Sequence, residues 1–423
     1  MSMERIQPRE RFFYGYWVLF ACFFFSVYTG GAVFYGFTAI FEPIAEECGW
    51  SYTQISLAAS LRGLEMGLLA PLLGILVDRW GARPLMIGGS IVAGIGLIFL
   101  SKISTLVMFY MAFVIIAIGM SPAGSTVQMA ATANWFNRRL GFATSIVSSG
   151  YAAGGFLIPL IVLAVDTYGW RTVMFGVGVG FWIVGLPLSF LVRHKPEQYG
   201  YLPDGDTVAP VVNPADAPPG TKGEKIPIHK LLLSPTFWFL VFAPMINQLI
   251  FAALVTHVMP YLSSINVERS LASLVAGGLP LTGITGRLIY GWLADRFPKR
   301  IVAATASFLM SLSMLTFHYS SIYGIWLLII FLIFIGLGWG GTITLRVVLM
   351  HEYFGREQFG TIMGLSAGLM MLGSIAGPPV SGWVFDSIGS YQLVWLTFSG
   401  LALISCGLFF TIPPIHKTIS VQE

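Results

Sequence analysis

Four charged residues lie inside long apolar stretches of this sequence: Arg62, Glu65, Arg287 and Arg346. An arginine at the centre of a membrane-spanning helix costs about 2.5–3.5 kcal/mol, so a partner must offset that cost. Ionisable residues inside membrane helices mark the pathways of ions and substrates. The types and positions of these four residues therefore indicate a binding site for a small charged solute.

Arg287 has no acidic residue in its own apolar stretch, 270–294, and lies eight residues before Asp295. Eight helical residues place it about 12 Å from the charged turn that ends the stretch. A guanidinium binds a carboxylate through two parallel, charge-assisted hydrogen bonds. We predict that Arg287 binds the carboxylate of a small organic anion. The alternative is that it extends toward the membrane surface or pairs with a carboxylate on another helix.

Arg62 and Glu65 are three residues apart, which places them on one face of a helix near the middle of the membrane. Two interpretations remain open. In the first, the two residues form an ion pair that holds their helix against a neighbour. In the second, Glu65 accepts a proton, because burial favours the neutral form of a carboxylate, and Arg62 or a bound anion senses its charge. The second interpretation predicts proton coupling.

Arg346 lies shortly before His351 and Glu352, near the end of its apolar stretch. One interpretation is that it reaches the membrane surface or pairs with Glu352 or Asp295. Control of a gate is the other.

One charged pattern occurs twice, and every matched position is displaced by 217 residues. The pattern consists of Gly74, Asp78, Arg79 and Arg83, and it returns as Gly291, Asp295, Arg296 and Arg300. Both copies follow the second apolar stretch of their half, so the chain is predicted to consist of two similar halves. We expect the aspartates to cap neighbouring helices and the arginines to bridge the halves as part of a gate.

The chain is apolar throughout. Of its 423 residues, 56% are hydrophobic and 10% are charged, whereas an average soluble domain is about 25% charged. A spanning helix needs about 20 apolar residues. Twelve stretches qualify: 14–41, 52–77, 84–102, 106–133, 140–165, 171–193, 235–263, 270–294, 301–319, 323–350, 358–385 and 391–413. The predicted fold is an all-α membrane protein with twelve transmembrane helices in two pseudo-symmetric six-helix bundles.

The segment 194–230 separates the sixth and seventh stretches and contains seven prolines but no long apolar run. Such a segment cannot bury enough apolar surface to fold alone. We therefore predict an N-terminal bundle over 1–193, a cytoplasmic linker over 194–230 and a C-terminal bundle over 231–423.

Lysine and arginine are distributed unevenly among the predicted loops. With the N-terminus inside, 17 of the 23 lie on the cytoplasmic side. Cytoplasmic loops carry most of the positive charge in membrane proteins. The protein is therefore expected to be multi-pass in the cell (inner) membrane, surrounded by the lipid bilayer, with both termini cytoplasmic. No cleavable signal peptide is expected, because the first apolar stretch is too long for one.

No residue pattern indicates a cofactor, a metal site or an enzyme. The three cysteines are isolated in the sequence, and no catalytic pair follows the acidic Glu46 and Glu47. The net charge of +4 is explained by the cytoplasmic loops, so no nucleic-acid partner is expected. A channel would need a ring-forming repeat of charges, which is absent from the sequence. We expect a monomer.

The two charged turns resemble the signature loops of the major facilitator superfamily. Three further segments are similar to its monocarboxylate transporter and oxalate:formate antiporter branch: Asn134–Arg139, the Arg287-x-x-x-Gly291 end of helix 8, and Gly377–Asp386 in helix 11. The resemblance covers essentially the whole chain. It implies two helix bundles that rock about a central site for a small organic anion.

The resemblance also places site residues. It aligns Arg287 with the family's substrate arginine, and Tyr35 and Tyr151 with anion-site tyrosines. Each tyrosine lies beside a glycine, which allows close approach of a ligand or of another backbone, so packing is the alternative role. Trp339 and His257 are weaker candidates for substrate binding. A lone membrane histidine more often satisfies local hydrogen bonds.

The departures from the family pattern are informative. Proton-coupled animal monocarboxylate carriers have a lysine where this chain has Tyr35, and an aspartate where it has Gly283. The oxalate carrier has a second cation in helix 11, and the matching stretch 365–367 has none. A second buried carboxylate would then be unpaired. A monocarboxylate is therefore favoured over a dicarboxylate, unless Arg62 or Arg346 faces the substrate.

We predict a secondary active transporter that carries a small monocarboxylate, such as lactate or pyruvate, together with a proton by alternating access. An organic-anion exchanger of the oxalate:formate type, or an exporter of another small organic solute, is the alternative. A drug/proton antiporter of the same fold would show Gly-Pro-x-x-Gly-Gly in helix 5, where this chain has Gly150–Gly155 without proline.

Overall fold

The computed structural model describes residues 13–69, 73, 76–77, 79–136, 140–193, 195–202, 204, 233–354 and 359–413. Within these ranges the regular structure is helical, and no strand occurs. Eleven of the described helices are long and apolar enough to cross a membrane. The second predicted stretch, 52–77, supplies a further helix, and part of its length lies outside the described residues. The prediction of an all-α membrane protein is confirmed.

The helices follow the predicted apolar stretches in order. They are α1 (Gly15–Cys48), α2 (Tyr52–Leu68), α3 (Ala82–Leu100), α4 (Leu106–Trp135), α5 (Leu140–Ala153 and Leu157–Tyr168), α6 (Trp170–Leu191), α7 (Pro235–Ser264), α8 (Arg269–Arg296), α9 (Lys299–Tyr323), α10 (Leu327–Phe354), α11 (Phe359–Ile388) and α12 (Gln392–Thr411).

α1 is longer than the sequence predicts, because it continues past position 41 to Cys48. Glu42 and Glu47 lie in the added turns, and both carboxylates have cationic partners. Arg269 Nη1 lies 3.4 Å from Glu42 Oε2, and Arg171 Nε lies 2.7 Å from Glu47 Oε1. These ion pairs allow the helix to continue beyond its apolar stretch.

α1 begins and α12 ends on the same side of the molecule, which we call the terminal face; the other side is the opposite face. Helices α1–α6 form one half and α7–α12 the other. Within the second half, α8 packs closely on α10, and glycines allow the contact. A Cβ at Gly340 would lie 2.7 Å from the backbone nitrogen of Arg287. Small residues permit such close helix packing in membranes.

The two halves meet along three helix pairs: α1 with α7, α2 with α11, and α5 with α8. The closest approach of α5 and α8 is at Gly155 and Gly277. A Cβ at Gly277 would lie 2.7 Å from the Gly155 carbonyl oxygen. Only residues without a side chain allow the backbones to come this close.

The predicted linker, 194–230, lies largely outside the described residues. Its described part contains a short 3₁₀-helix, Pro196–Tyr199. The Arg193 guanidinium lies 3.8 Å from the centre of the Tyr14 ring and 4.4 Å from that of Tyr199. These contacts hold the end of α6 and the residues after it against the start of α1. The domain boundaries at 193 and 231 remain predictions.

Candidate substrate site

Arg287 lies in α8, and its side chain is half-buried. Its Nε is buried and has no hydrogen-bond partner. Across the described ranges, no carboxylate forms an ion pair with it. A buried guanidinium nitrogen without a hydrogen-bond partner is costly, and a bound anion would supply both an acceptor and the opposite charge.

Tyr35 belongs to the other half. Its side chain lies close enough to the Arg287 guanidinium for the two groups to interact electrostatically. It ends a π-helical turn, Thr29–Tyr35, inside α1. Such wide turns occur frequently at functional sites. Its side chain is 6% exposed, and its ring packs edge-on against Tyr151 of α5, with the centroids 6.0 Å apart. The structure therefore brings Tyr35, Tyr151 and Arg287 into one neighbourhood between the halves.

A glycine allows the π-helical turn to pack closely on α5. A Cβ at Gly30 would lie 2.5 Å from the Tyr151 carbonyl oxygen. α1 and α5 therefore pack backbone to backbone at the level of the tyrosines. This contact fixes the position of Tyr35 relative to Tyr151.

Trp339 lies in α10 and stacks on Phe251 of α7, with the ring centroids 3.8 Å apart and an angle of 7° between the planes. It is 8% exposed. Its Cδ1 lies 3.8 Å from the point where Gly283 would carry a Cβ. Gly283 is one helical turn before Arg287, so Trp339 lies beside the same face of α8 as the arginine.

His257 lies in α7 and is fully buried. Its Nε2 lies 2.9 Å from the Pro378 carbonyl oxygen and 3.0 Å from the Ser56 hydroxyl, and its Nδ1 lies 2.9 Å from the Tyr391 hydroxyl. The carbonyl only accepts, so Nε2 donates to it and Nδ1 accepts from tyrosine. Both ring nitrogens have protein partners, which agrees with the alternative interpretation of this histidine as a local hydrogen-bonding residue.

Arg62 and Glu65 lie on α2, but their side chains lie outside the described residues. The backbone places them beyond Ser60, whose hydroxyl donates a 2.6 Å hydrogen bond to the Ile375 carbonyl of α11. The choice between an ion pair and a proton acceptor stays open.

Arg346 lies in α10 and is also half-buried, with a buried Nε that has no hydrogen-bond partner. Of the two carboxylates considered as partners, Glu352 pairs instead with Lys299, with 3.2 Å between Nζ and Oε1. Asp295 is exposed, and no described ion pair joins it to Arg346. The gating role of Arg346 remains a prediction.

The predicted charged turns lie at the terminal face. Arg79 and Arg296 are exposed, and the Arg296 guanidinium lies 3.9 Å from the ring centre of Trp292 on its own helix. Arg83 lies over Phe190, and Arg300 donates a 3.0 Å hydrogen bond to the Ile412 carbonyl. Each of these contacts joins two residues of the same half. Asp78 lies outside the described residues, and no described hydrogen bond reaches Asp295.

At the opposite face, by contrast, polar contacts join the halves. The Asp386 carboxylate of α11 accepts hydrogen bonds from the backbone nitrogens of Tyr52 (3.0 Å) and Thr53 (2.8 Å) at the start of α2. Arg269 of α8 binds Asp166 of α5 at 2.6 Å. The described cross-half hydrogen bonds and ion pairs lie toward this face, so the halves are closed together there.

No role for these cross-half residues is predicted from the sequence. Arg269 lies in a predicted loop, and Asp386 ends the segment that resembles the family. One signal was available in the sequence: both are charged residues at the end of a long apolar stretch on the same side of the membrane. Their partners lie about 100 or more residues away along the chain, for example 103 for Asp166 and Arg269.

Two six-helix halves that are closed at one face, with a cation between them that has no carboxylate partner among the described residues, form the architecture of an alternating-access membrane carrier. The chain belongs to the Major Facilitator Superfamily: the model of that family matches residues 16–268 and 253–422. The resemblance to the superfamily is confirmed, and so is the assignment to its monocarboxylate transporter branch. The chain is a transport protein and not an enzyme.

The branch assignment follows from curated relatives. Monocarboxylate transporter 11 of Homo sapiens is 25% identical over 400 residues, covering 88% of this chain and 76% of the relative. Monocarboxylate transporter 4 of Mus musculus is 25% identical over 414 residues, covering 93% and 82%.

Solved structures share the fold. The nucleoside transporter NupG superposes with a TM-score of 0.73 at 14% identity, covering 95% of this chain and 100% of that chain. A bacterial homologue of the human lysosomal transporter Spinster, in an inward-facing and occupied conformation, gives 0.73 at 13% identity, covering 95% and 97%.

Proposed function

We propose that the chain is a secondary active transporter for a small monocarboxylate, represented by lactate or pyruvate, and that transport is coupled to a proton. Arg287 carries this proposal. It is a half-buried guanidinium with an unpartnered Nε and no carboxylate partner in the described part of the chain. The names of the relatives support the same class of substrate.

The carboxylate would bind Arg287 of the second half and approach the Tyr35 hydroxyl of the first half. A hydroxyl donates to a carboxylate, and the guanidinium neutralises its charge. A ligand held by groups from both halves stabilises conformations in which the halves are close. This is how binding would be linked to alternation between the two open states.

The terminal face is proposed to be cytoplasmic, in the cell (inner) membrane, because it would carry most of the lysines and arginines. The closed opposite face would then make this an inward-facing conformation. The carrier is proposed to act as a monomer, since each chain supplies both halves of the site.

Glu65 is the proposed proton acceptor, with Arg62 three residues away to sense its charge. The family's usual coupling pair is replaced by Tyr35 and Gly283, so another carboxylate must take the proton. Glu65 is an acidic residue within the apolar stretch of α2. When Glu65 is protonated, Arg62 would become available to interact with the anion.

The test is uptake of labelled lactate and pyruvate by proteoliposomes that contain the full-length protein. Wild type should accumulate label when the outside is acidic, and Arg287→Gln should abolish uptake while the protein remains monodisperse and binds detergent normally. Arg287→Lys keeps the charge but not the two-pronged geometry, so it should retain part of the activity. Normal uptake by Arg287→Gln would overturn the site.

Exchange of organic anions is the second candidate, and the replacement of the usual coupling pair favours it. An exchanger would take up label only when unlabelled anion is loaded inside. A proton symporter would accumulate label in empty vesicles under an inward proton gradient. Uptake of a cationic dye, without uptake of lactate or pyruvate, would contradict both the symporter and the exchanger.

A further inference from the structure

The surroundings of Arg346 resemble those of Arg287 in one respect. Its side chain is half-buried in α10, and its Nε is buried without a hydrogen-bond partner. Its one described hydrogen bond, from Nη2 to the Met363 carbonyl of α11, is long at 3.5 Å. A neutral carbonyl at that distance offsets little of the cost of burying a full charge.

No carboxylate within the described ranges neutralises Arg346. Glu352, six residues further along α10, pairs with Lys299 at 3.2 Å. Asp295 is exposed at the end of α8. Cations inside membrane proteins normally pair with carboxylates or face an aqueous space. The missing counter-ion is therefore expected to be a ligand.

The position of Arg346 relative to Arg287 follows from the packing of α8 and α10. The two helices run in the same direction, and Gly340 lies against the backbone nitrogen of Arg287. Arg346 is six residues beyond Gly340, so it lies about 9 Å nearer the terminal face.

The two arginines also lie on related helix faces. Trp339 and Arg346 are seven residues apart and lie on the same face of α10. Gly283 and Arg287 are four residues apart and share a face of α8, and Gly283 lies beside the Trp339 ring. The faces that carry the two guanidinium groups therefore meet at Trp339.

We propose that Arg346 forms a second carboxylate-binding site, one to two helical turns nearer the terminal face than Arg287. This inference rests on the proposed role of Arg287 in anion binding. A ligand with carboxylates at both ends of a flexible chain would bind both guanidinium groups together. The carrier then accepts elongated dicarboxylates as well as small monocarboxylates.

The test is competition with labelled lactate for the purified full-length protein in detergent. The competitors are straight-chain dicarboxylates from succinate to sebacate, each compared with its own monomethyl ester, which has nearly the same length and one charge less. At the best length the dicarboxylate should bind roughly 10-fold more tightly than its ester, which corresponds to about 1.4 kcal/mol. A ratio near one at every length would overturn the second site, and this result needs no variant.

Arg346→Gln should reduce the ratio to about one, because it removes the second guanidinium. Arg346→Lys should keep part of the preference, because it keeps the charge. Lys299→Gln is the matched control: it removes a nearby cation that already has a partner in Glu352, and it should leave the ratio unchanged. A ratio that persists in Arg346→Gln would overturn the proposal.

Direct binding of labelled suberate separates failure of this site from failure of the proposed function. If lactate does not bind but suberate binds to wild type and not to Arg346→Gln, the monocarboxylate assignment is wrong and the second site stands. If lactate binding depends on Arg287 but each monomethyl ester binds as tightly as its dicarboxylate, the second site is wrong.

Discussion

The carboxylate of Asp386 caps the first turn of the helix that begins at Tyr52, although the two residues are 334 positions apart. Both backbone nitrogens at the start of α2 donate to it, and the Thr53 hydroxyl donates as well, at 2.5 Å. The Tyr52 ring stacks on Phe385 with the centroids 4.6 Å apart. A negative group at a helix N-terminus is stabilising, so this contact favours closure of the opposite face.

Asp386→Ala is expected to shift the protein away from the conformation that is closed at the opposite face. Loss of a capping side chain costs about 1 kcal/mol, which corresponds to a change of roughly five-fold in the population ratio. Distances between spin labels attached to the opposite-face ends of α2 and α11 measure the shift. Glu268→Gln is the control, because the described hydrogen bond to that carboxylate is local, from Ser270 at 2.6 Å. Equal distance distributions for Asp386→Ala and wild type would show that the cap does not stabilise closure.

Tyr391→Phe is expected to lower thermal stability and leave transport affinity unchanged. The change removes the hydroxyl that bonds His257 Nδ1 and leaves a buried nitrogen without a donor, which costs about 1–3 kcal/mol. Melting of the purified protein and the half-saturating concentration of lactate are measured together. A change in affinity without a change in melting would instead place His257 and Tyr391 in the substrate site.

Gly283→Asp is expected to weaken monocarboxylate binding by about ten-fold or more. An aspartate four residues before Arg287 forms an intrahelical pair with it, and it competes with the substrate for the guanidinium. Apart from the backbone of its own helix, the nearest described atom to the new Cβ is Trp339 Cδ1 at 3.8 Å, so the side chain has room. Gly283→Asn has the same size without the charge and should bind nearly as wild type. Equal binding by the aspartate and asparagine variants would mean that Arg287 does not hold the carboxylate.

Glu65→Gln is expected to remove the pH dependence of uptake. A proton symporter takes up more substrate as the outside becomes more acidic, because the proton is a co-substrate. Glutamine cannot bind that proton, so uptake by this variant should be flat with pH, whereas Glu65→Asp should keep a sloping profile. Initial uptake rates across a pH series test this, and an unchanged slope in Glu65→Gln would assign Glu65 to structure.

The helices could be predicted because spanning segments must be long and apolar, and the repeated charged turns gave the two halves. The predicted end of a helix was wrong where charged residues follow its apolar stretch, as at the end of α1. α1 continues past Glu42 since Arg269 provides a partner from another helix, which no local pattern reveals. Arg287 could be predicted as a site residue because a charged side chain inside an apolar stretch is visible in the sequence. Its position near Tyr35 could not, because it depends on the register between α1 and α8. The cap from Asp386 to Tyr52 depends on the register between α2 and α11 in the same way.

Gly155 and Gly277 have a consequence for how the protein moves. Main chains that touch without intervening side chains can change their crossing angle with little repacking. The contact between α5 and α8 lies nearer the opposite face, because Gly277 is eight residues after Arg269 and nineteen before Arg296. A change of crossing angle there would therefore separate the halves less at the opposite face than it brings their terminal-face ends together.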